Sequence, residues 1–240
     1  MASTSKRTSQ VSTRYGRGGC LAGRESSWSS GSPCDPRGHT DEARDTAAVS
    51  PSPVTSLIHL NGPPGIGKST LSALYAERHP GTLNLDIDSL HRLVGGWQDV
   101  DNHTHDVLRP VALAMASTHL AGGRTVILPQ YLARPDEIDA FENVAREQGA
   151  DFREVVLLDE KAESIARFDC RRDDSAWGRH NRRLVALHGG PVMLAAMYDQ
   201  LMEILKVRPS AVVVRSEPEA VENTYASLMR ALLQPPHRKG

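Results

Sequence analysis

Apolar and polar positions follow two kinds of pattern along residues 54–234. Short apolar or β-branched runs of strand length separate longer segments whose apolar positions recur at helical spacing. We predict strands at 55–60, 82–85, 124–128, 153–158 and 210–214. We predict helices at 69–78, 104–121, 135–148, 160–173, 190–206 and 217–233. Strands that alternate with helices indicate an α/β domain in which a five-stranded parallel sheet carries helices on both faces.

The first 53 residues have a different composition. They are rich in Ser, Thr, Gly, Arg and Pro and show neither a strand nor a helix period. Such a segment buries too little apolar surface to offset the entropy lost on ordering, so we predict a disordered N-terminal tail. The arginine-rich stretch before Glu25, which has no acidic residue, leaves an organellar transit peptide as the alternative. Residues 235–240 are predicted to be a C-terminal tail, which leaves 54–234 as the domain.

The overall charge is close to neutral and gives no support to some classes of partner. The formal net charge is −1 and the sequence pI about 6.8, so we expect no recruitment of nucleic acid or of an anionic membrane surface. No apolar run reaches the length of a membrane span. The three cysteines lack metal-ligand spacing, which is typical of a reducing compartment, and we expect the cytoplasm.

A glycine-rich segment joins the first predicted strand to the first predicted helix. It reads Gly62, Pro63, Pro64, Gly65, Ile66, Gly67, Lys68, Ser69 and Thr70, which matches the P-loop pattern G-x-x-x-x-G-K-[ST]. In this pattern backbone N–H groups surround phosphate oxygens at the N-terminus of the helix. Lys68 would reach the β- and γ-phosphates, and the Ser69 hydroxyl would bind Mg²⁺. The segment therefore predicts binding of ATP with Mg²⁺.

Two carboxylates follow the second predicted strand, which we expect to lie beside the P-loop strand. Asp86 and Asp88 would point the same way if the strand continued through them. A carboxylate at this end of a parallel sheet accepts the proton of an acceptor hydroxyl or orients it for attack. Asp88 also fits the N-cap of a helix at 89–94, and the two roles are compatible.

The P-loop followed by Asp-x-Asp-x-Leu-His resembles gluconate kinase, and the wider pattern resembles chloramphenicol phosphotransferase and related small P-loop kinases. The resemblance implies the three-layer P-loop NTPase fold, with an AAA-type ATP-binding domain of the small kinase kind. It implies that an aspartate acts as catalytic base, here Asp88 or else Asp86. The sequence departs from gluconate kinase at Ile87, where that family has Gly. The identity of the substrate therefore does not carry over.

Arginines are concentrated at residues 167–183. Small P-loop kinases carry arginines on a mobile lid between the fourth strand and the last helices, and the resemblance places a lid at about 160–188. A guanidinium supplied within the chain stabilises the charge of the transferring phosphoryl group. Arg167 and Arg171 are the first candidates, with Arg172 and Arg179 next. The alternative is a solvated helix with ion pairs such as that between Glu163 and Arg167.

The third predicted strand ends without the aspartate that a Walker B motif would place there. Mg²⁺ would then rest on Ser69 and water, with Asp86 as a further candidate ligand. Gln130 and Tyr131 follow this strand and are candidates to contact the acceptor, and the loop at Gly95-Gly96-Trp97 is a weaker one.

These patterns predict an ATP-dependent phosphotransferase that acts on a hydroxyl of a small molecule, such as a sugar acid, an antibiotic or another metabolite. One alternative is a nucleoside or polynucleotide kinase, although a polynucleotide would favour a basic groove. The other is an ATP-binding switch with little transfer activity. The sequence leaves the acceptor and the oligomeric state open.

Overall fold

The computed structural model describes residues 55–170 and 173–234 of the chain. Within these ranges the strands are β1 (Ser56–Asn61), β2 (Leu83–Asn84), β3 (Val126–Leu128), β4 (Asp151–Leu158) and β5 (Val212–Arg215). The α-helices are α1 (Lys68–Arg78), α2 (Ile87–Leu90), α3 (Thr104–Ala121), α4 (Pro135–Glu147), α5 (Lys161–Cys170), α6 (Ala176–Leu187), α7 (Pro191–Val207) and α8 (Val221–Leu233). The two predicted tails and the candidates Arg171 and Arg172 lie outside the described residues.

The five strands form one parallel sheet in the order β2-β3-β1-β4-β5. This confirms the predicted α/β class and the five-stranded parallel sheet. The expectation that the second strand lies beside the P-loop strand is wrong, because β3 is hydrogen-bonded between β1 and β2. Strand order depends on pairing between distant segments, which the apolar pattern of one segment does not encode.

Alternate side chains of the central strands enter different apolar layers. Leu57 belongs to the layer that also contains α3 and α4 residues, whereas Ile58 and Leu60 belong to the layer with α1 and α8 residues. Because successive strand residues point to opposite faces, helices cover both faces of the sheet. The predicted three-layer arrangement is therefore confirmed. A third, smaller apolar cluster joins α5, α6 and α7.

Two local predictions are wrong. The strand does not continue through the carboxylates, since β2 ends at Asn84 and Asp88 lies in the first turn of α2. The N-cap of that helix is Asp86 rather than Asp88, and its carboxylate accepts a hydrogen bond from the Asp88 N–H at 3.1 Å. An Asp side chain that bonds the backbone two residues later stops the extended conformation, and so the chain turns at this point.

The predicted helix 160–173 is shorter in the structure, and a helix that the sequence did not predict follows it. Helix α6 begins after Ser175, whose hydroxyl accepts a hydrogen bond from the Gly178 N–H at 2.9 Å. Its many polar positions and its glycine weaken the helix signal, and burial of Gly178 against Asp173 compensates in the folded chain.

A buried ion network connects the sheet to the helices. Arg208 is almost fully buried after α7, and its guanidinium donates to the carboxylates of Glu154, Asp139 and Glu142. Among the described residues, no helix is long and apolar enough to cross a bilayer.

Candidate active site

The P-loop lies between the end of β1 and the start of α1, at the carboxyl edge of the sheet. Gly62, Gly65 and Gly67 have φ values of 146°, 82° and 107°, which disfavour residues with a Cβ. A Cβ at Gly62 would lie 2.6 Å from the Leu157 carbonyl oxygen, and one at Gly65 would lie 2.9 Å from Phe168 Cα. These glycines therefore allow both the turn of the loop and its close contact with β4 and α5.

Buried polar contacts hold this loop in place. The Asn61 side chain accepts from the Gly62 N–H at 2.8 Å and donates to the Leu132 carbonyl at 2.8 Å. The Ile66 carbonyl accepts two hydrogen bonds, from the Ser216 hydroxyl at 2.8 Å and from the Arg167 guanidinium at 3.1 Å. The loop is thereby tied to the segments that follow β3 and β5 and to α5.

The Lys68 ammonium folds back over the loop. Its Nζ donates to the Gly62 carbonyl at 2.8 Å and to the Pro63 carbonyl at 3.0 Å. Lys68 would have to exchange these carbonyl oxygens for phosphate oxygens if a nucleotide bound at the P-loop.

A cavity of about 660 Å³ opens over the P-loop and contains most of the candidate residues. Its P-loop side is formed by Pro64, Gly65, Ile66, Gly67, Lys68, Ser69 and Thr70. Asp88, Gln130, Tyr131 and Arg167 also line it. The structure thus brings these sequence-predicted residues to one cavity, whereas Asp86 and Arg179 are not among its lining residues.

Asp88 is held in an environment that opposes its charged form. Burial raises the pKa of this carboxyl, and the neighbouring Asp86 carboxylate raises it further. Lys68, a hydrogen bond with Trp177 and the charge of His105 act in the opposite direction. Ser69 and Asp88 both line the cavity, and a divalent cation beside Asp88 would offset the repulsion from Asp86.

An aromatic cluster lies beside Asp88 and includes Trp97 of the loop that the sequence analysis named as a weaker candidate. The Trp177 ring of α6 stacks on His91 with centroids 4.5 Å apart, and His91 meets His105 edge-on at 4.3 Å. Trp97 and His180 pack against Trp177 at 5.9 and 5.6 Å. Burial lowers the pKa of His91 to about 4, helped by His105 and His180, so its imidazole is neutral at physiological pH. The cluster connects α6 with the segment that carries Asp88.

The two described candidates of the predicted arginine lid, Arg167 and Arg179, make different contacts. Arg167 is fixed by hydrogen bonds to the P-loop, to Ser216 and to Asp159. It forms an ion pair with Asp159 at 3.3 Å, whereas the alternative of a solvated helix named Glu163 as its partner. Arg179 donates to the Asp174 carbonyl on the exposed side of α6. A mobile lid with several catalytic arginines stays a prediction.

Two further parts of the cavity wall were missed at the sequence level. The segment after β5 contributes Ser216, Glu217, Pro218 and Glu219, and Arg109 of α3 contributes a guanidinium that pairs with Glu137 at 2.8 Å. The segment after β5 could be expected at the cavity from its position, since the carboxyl ends of parallel strands meet at the ligand edge of the sheet. That signal needs the strand order, which the sequence alone did not provide.

The sequence was compared with protein-family models and with curated proteins, and the domain matches one family model. A family model described as AAA domain matches residues 57–184, more than half of the chain. No curated protein is significantly similar in sequence.

The solved structures that resemble the chain include the following three. A gluconokinase from Sinorhizobium meliloti 1021 is 18% identical with a TM-score of 0.46, and the alignment covers 74% of this chain and 93% of that one. A deoxyadenosine kinase from M. mycoides is 15% identical with a TM-score of 0.43 and coverages of 73% and 97%. The APS kinase CysC of Mycobacterium tuberculosis, as a Cys556Ala mutant, is 20% identical with a TM-score of 0.35 and coverages of 43% and 76%.

Proposed function

The chain belongs to the AAA domain family, and from this premise we propose that it is an ATP-dependent kinase that phosphorylates a hydroxyl of a small molecule. The observation that carries the proposal is the shared cavity, in which the P-loop and the Asp88 carboxylate face the same space. A phosphate cradle beside a buried carboxylate is the minimum that transfer to an alcohol requires.

The nucleotide would occupy the P-loop side of the cavity. Its phosphates would lie against the backbone N–H groups of the glycine loop, at the positive end of α1. The base and ribose would lie toward the segment after β5, where Glu217, Pro218 and Thr224 line the cavity. Mg²⁺ held by the Ser69 hydroxyl and water would neutralise charge on the phosphates.

Asp88 would then act as the proton acceptor. The acceptor oxygen attacks the γ-phosphorus, its proton passes to the Asp88 carboxylate, and the bond to the bridging oxygen of ADP breaks. The raised pKa of Asp88 suits this role, because a stronger base takes the proton more readily. Arg167 orders the P-loop through Ile66 and stands near the phosphates.

The experiment is phosphoryl transfer from γ-labelled ATP to a panel of sugar acids, sugars, nucleosides and amphipathic alcohols. Label on one acceptor identifies the reaction. Lys68→Ala should reduce transfer by at least about 100-fold, because it removes the cation that reaches the β- and γ-phosphates. Unchanged turnover in this variant would remove the proposal, and so would ATP binding without transfer to any acceptor.

A further inference from the structure

The backbone that follows β3 forms one side of the cavity although it lies beyond the end of the strand. We call residues 129–132 the post-β3 segment, and all four of them line the cavity. The backbone register between β1 and β3 ends with His59 opposite Leu128. Strand pairing with β1 therefore does not fix this segment relative to the P-loop, and side-chain contacts become important.

Two buried side chains of β1 bind the post-β3 segment. The His59 imidazole bonds through Nε2 to the Gln130 carbonyl oxygen at 3.0 Å. The Asn61 side chain donates through Nδ2 to the Leu132 carbonyl at 2.8 Å and accepts through Oδ1 from the Leu132 N–H at 3.2 Å. Both side chains belong to fully buried residues, and alternate residues of a strand point to the same face. Side-chain atoms of β1 thus replace its backbone pairing with β3.

Asn61 differs from His59 because it also binds the phosphate loop. Its Oδ1 accepts a second hydrogen bond, from the Gly62 N–H at 2.8 Å. An amide oxygen has two acceptor sites, so this one atom joins the first residue of the P-loop to Leu132 with both sites used. A shift of Gly62 relative to Leu132 would stretch one of these two bonds. Movement of the P-loop therefore reaches the post-β3 segment through one buried side chain.

The same glycine is bonded to the cation of the P-loop. The Gly62 carbonyl accepts from Lys68 Nζ at 2.8 Å. A bound nucleotide would draw this ammonium towards its phosphates, while the N–H groups of the loop would bind phosphate oxygens. The partners of Gly62 would thus change at the carbonyl but not at the N–H. A continuous series of contacts runs from Lys68 through Gly62 and Asn61 to Leu132.

We propose, resting on nucleotide binding in the proposed kinase function, that Asn61 is a positioning residue that couples the P-loop to the post-β3 segment. Phosphates that fix the loop hold Gly62 in one position, so the bonds from Asn61 to Leu132 open less often. The nucleotide thereby orders the wall that carries Gln130 and Tyr131, the residues predicted to contact the acceptor. Because such coupling is reciprocal, a ligand that orders this wall tightens nucleotide binding by the same factor.

Amide hydrogen exchange of the full chain, with and without Mg²⁺ and ADP, tests the coupling. ADP is the probe because it lacks the γ-phosphate and because its base and ribose are proposed to lie toward the segment after β5. In the sheet, β5 and β3 lie on opposite sides of β1. We expect saturating ADP to slow exchange in the peptide that contains residues 129–132 by about 5-fold or more. Exchange in P-loop peptides should also slow, and this reports binding itself.

Variants of β1 locate the coupling. Asn61→Ser shortens the side chain so that it no longer reaches Leu132, and ADP should then protect the P-loop but not residues 129–132. Asn61→Asp is a second variant, which keeps the volume but places an oxygen against the Leu132 carbonyl, and it should lose the same response. His59→Gln is the matched control, because it keeps a donor for the Gln130 carbonyl. It should respond to ADP as the unsubstituted protein does.

The outcomes separate this inference from the kinase proposal. Protection of the P-loop without an effect at residues 129–132, or an effect that persists in the Asn61 variants, overturns the coupling while the kinase function stands. Loss of the effect in His59→Gln as well would assign it to a general loosening of β1 and would also overturn the coupling. An effect that only the Asn61 variants lose, without transfer of label from ATP to any acceptor, supports the coupling and counts against the kinase function. Absence of ADP binding overturns both.

Discussion

Asp88 is the residue whose surroundings say most about the chemistry. It lies in the first turn of a short helix, where the Asp86 cap fixes the backbone and the Trp177 side chain forms a hydrogen bond with the carboxyl. Burial and the second carboxylate hold its pKa above the ordinary value for aspartate. These contacts make Asp88 a stronger base than a solvated carboxylate and hold it at the cavity wall.

Asp88→Asn should lower kcat by about 100- to 10,000-fold while the affinity for ATP stays nearly unchanged, because the amide keeps the shape but does not accept the proton. Asp86→Asn is the control, since asparagine is also a good N-cap and preserves the turn. Steady-state kinetics and nucleotide titration provide the measurement. A large loss in Asp86→Asn alone would mean that the other carboxylate is the base.

Trp177 gives a second prediction at this scale. Trp177→Phe keeps a ring to stack on His91 but removes the indole donor to Asp88, so kcat should fall by about 3- to 10-fold with KM for ATP unchanged. Without that donor the pKa of Asp88 rises further, and the acid limb of the kcat profile should move to higher pH. Trp97→Phe, which alters the same cluster without touching Asp88, should leave the limb in place. Identical shifts in both variants would assign Trp177 a packing role only.

At the scale of elements, the P-loop depends on α5 as well as on its own sequence. The backbone of Gly65 contacts the backbone of Phe168 so closely that a Cβ would overlap it. The other link is the Arg167 bond to the Ile66 carbonyl. Helix α5 therefore supports the phosphate cradle from behind, and a change at this contact displaces the loop as a whole.

Gly65→Ala should raise the Kd for ATP by at least about 10-fold, because the methyl group pushes the loop away from α5. Gly81→Ala is a matched control: Gly81 also has a positive φ, 90°, but nothing lies within 4 Å of its Cβ position. Both variants should lose about 1–2 kcal/mol of stability from backbone strain. Denaturation and nucleotide titration separate the two effects, and equal ATP affinity in the two variants would contradict the role of α5.

Elements with a strong local signal were predictable from the sequence. The bounds of α3 agree with the predicted 104–121, since its apolar period and its terminal glycines are both local features. Helix α6 was missed because it contains Gly178 and many polar residues, although its Ser175 N-cap and the close packing of Gly178 against Asp173 support a helix in the folded chain. The P-loop was found from its spacing alone, whereas Trp177 and Ser216 reach the site only through contacts between segments distant in sequence.

A buried polar junction of His59, Glu154 and Arg208 stabilises the described domain together with its apolar layers. His59 of β1 is fully buried, and its Nε2 bonds to the Gln130 carbonyl at 3.0 Å. Its Nδ1 faces Glu154, which in turn accepts from Arg208. Burial, together with the positive charge of Arg208, lowers the pKa of His59 to about 4. The sheet therefore contains a neutral imidazole that resists protonation.

This junction predicts how stability depends on pH. A depressed histidine pKa stabilises the fold above the unfolded value of 6.5, and the contribution is lost as pH falls toward about 4. Between these two pH values, the depressed pKa of His59 accounts for a loss of about 3 kcal/mol in the free energy of unfolding. His59→Gln keeps an N–H donor for the Gln130 carbonyl but does not titrate, so its free energy of unfolding should fall less steeply with acid. Urea denaturation over this pH range is the measurement, and equal slopes in both proteins would contradict the role of His59.

The carbonyl partners of Lys68 affect which anions the P-loop would bind. Since its ammonium already has two carbonyl partners, an incoming anion gains only the difference between the new bonds and those it displaces. A single inorganic phosphate that replaced these carbonyl partners would gain little binding free energy. A chain of phosphates would also accept hydrogen bonds from the glycine N–H groups and from the N-terminus of α1. We therefore expect the affinity of the P-loop for nucleotides to rise with the number of their phosphates.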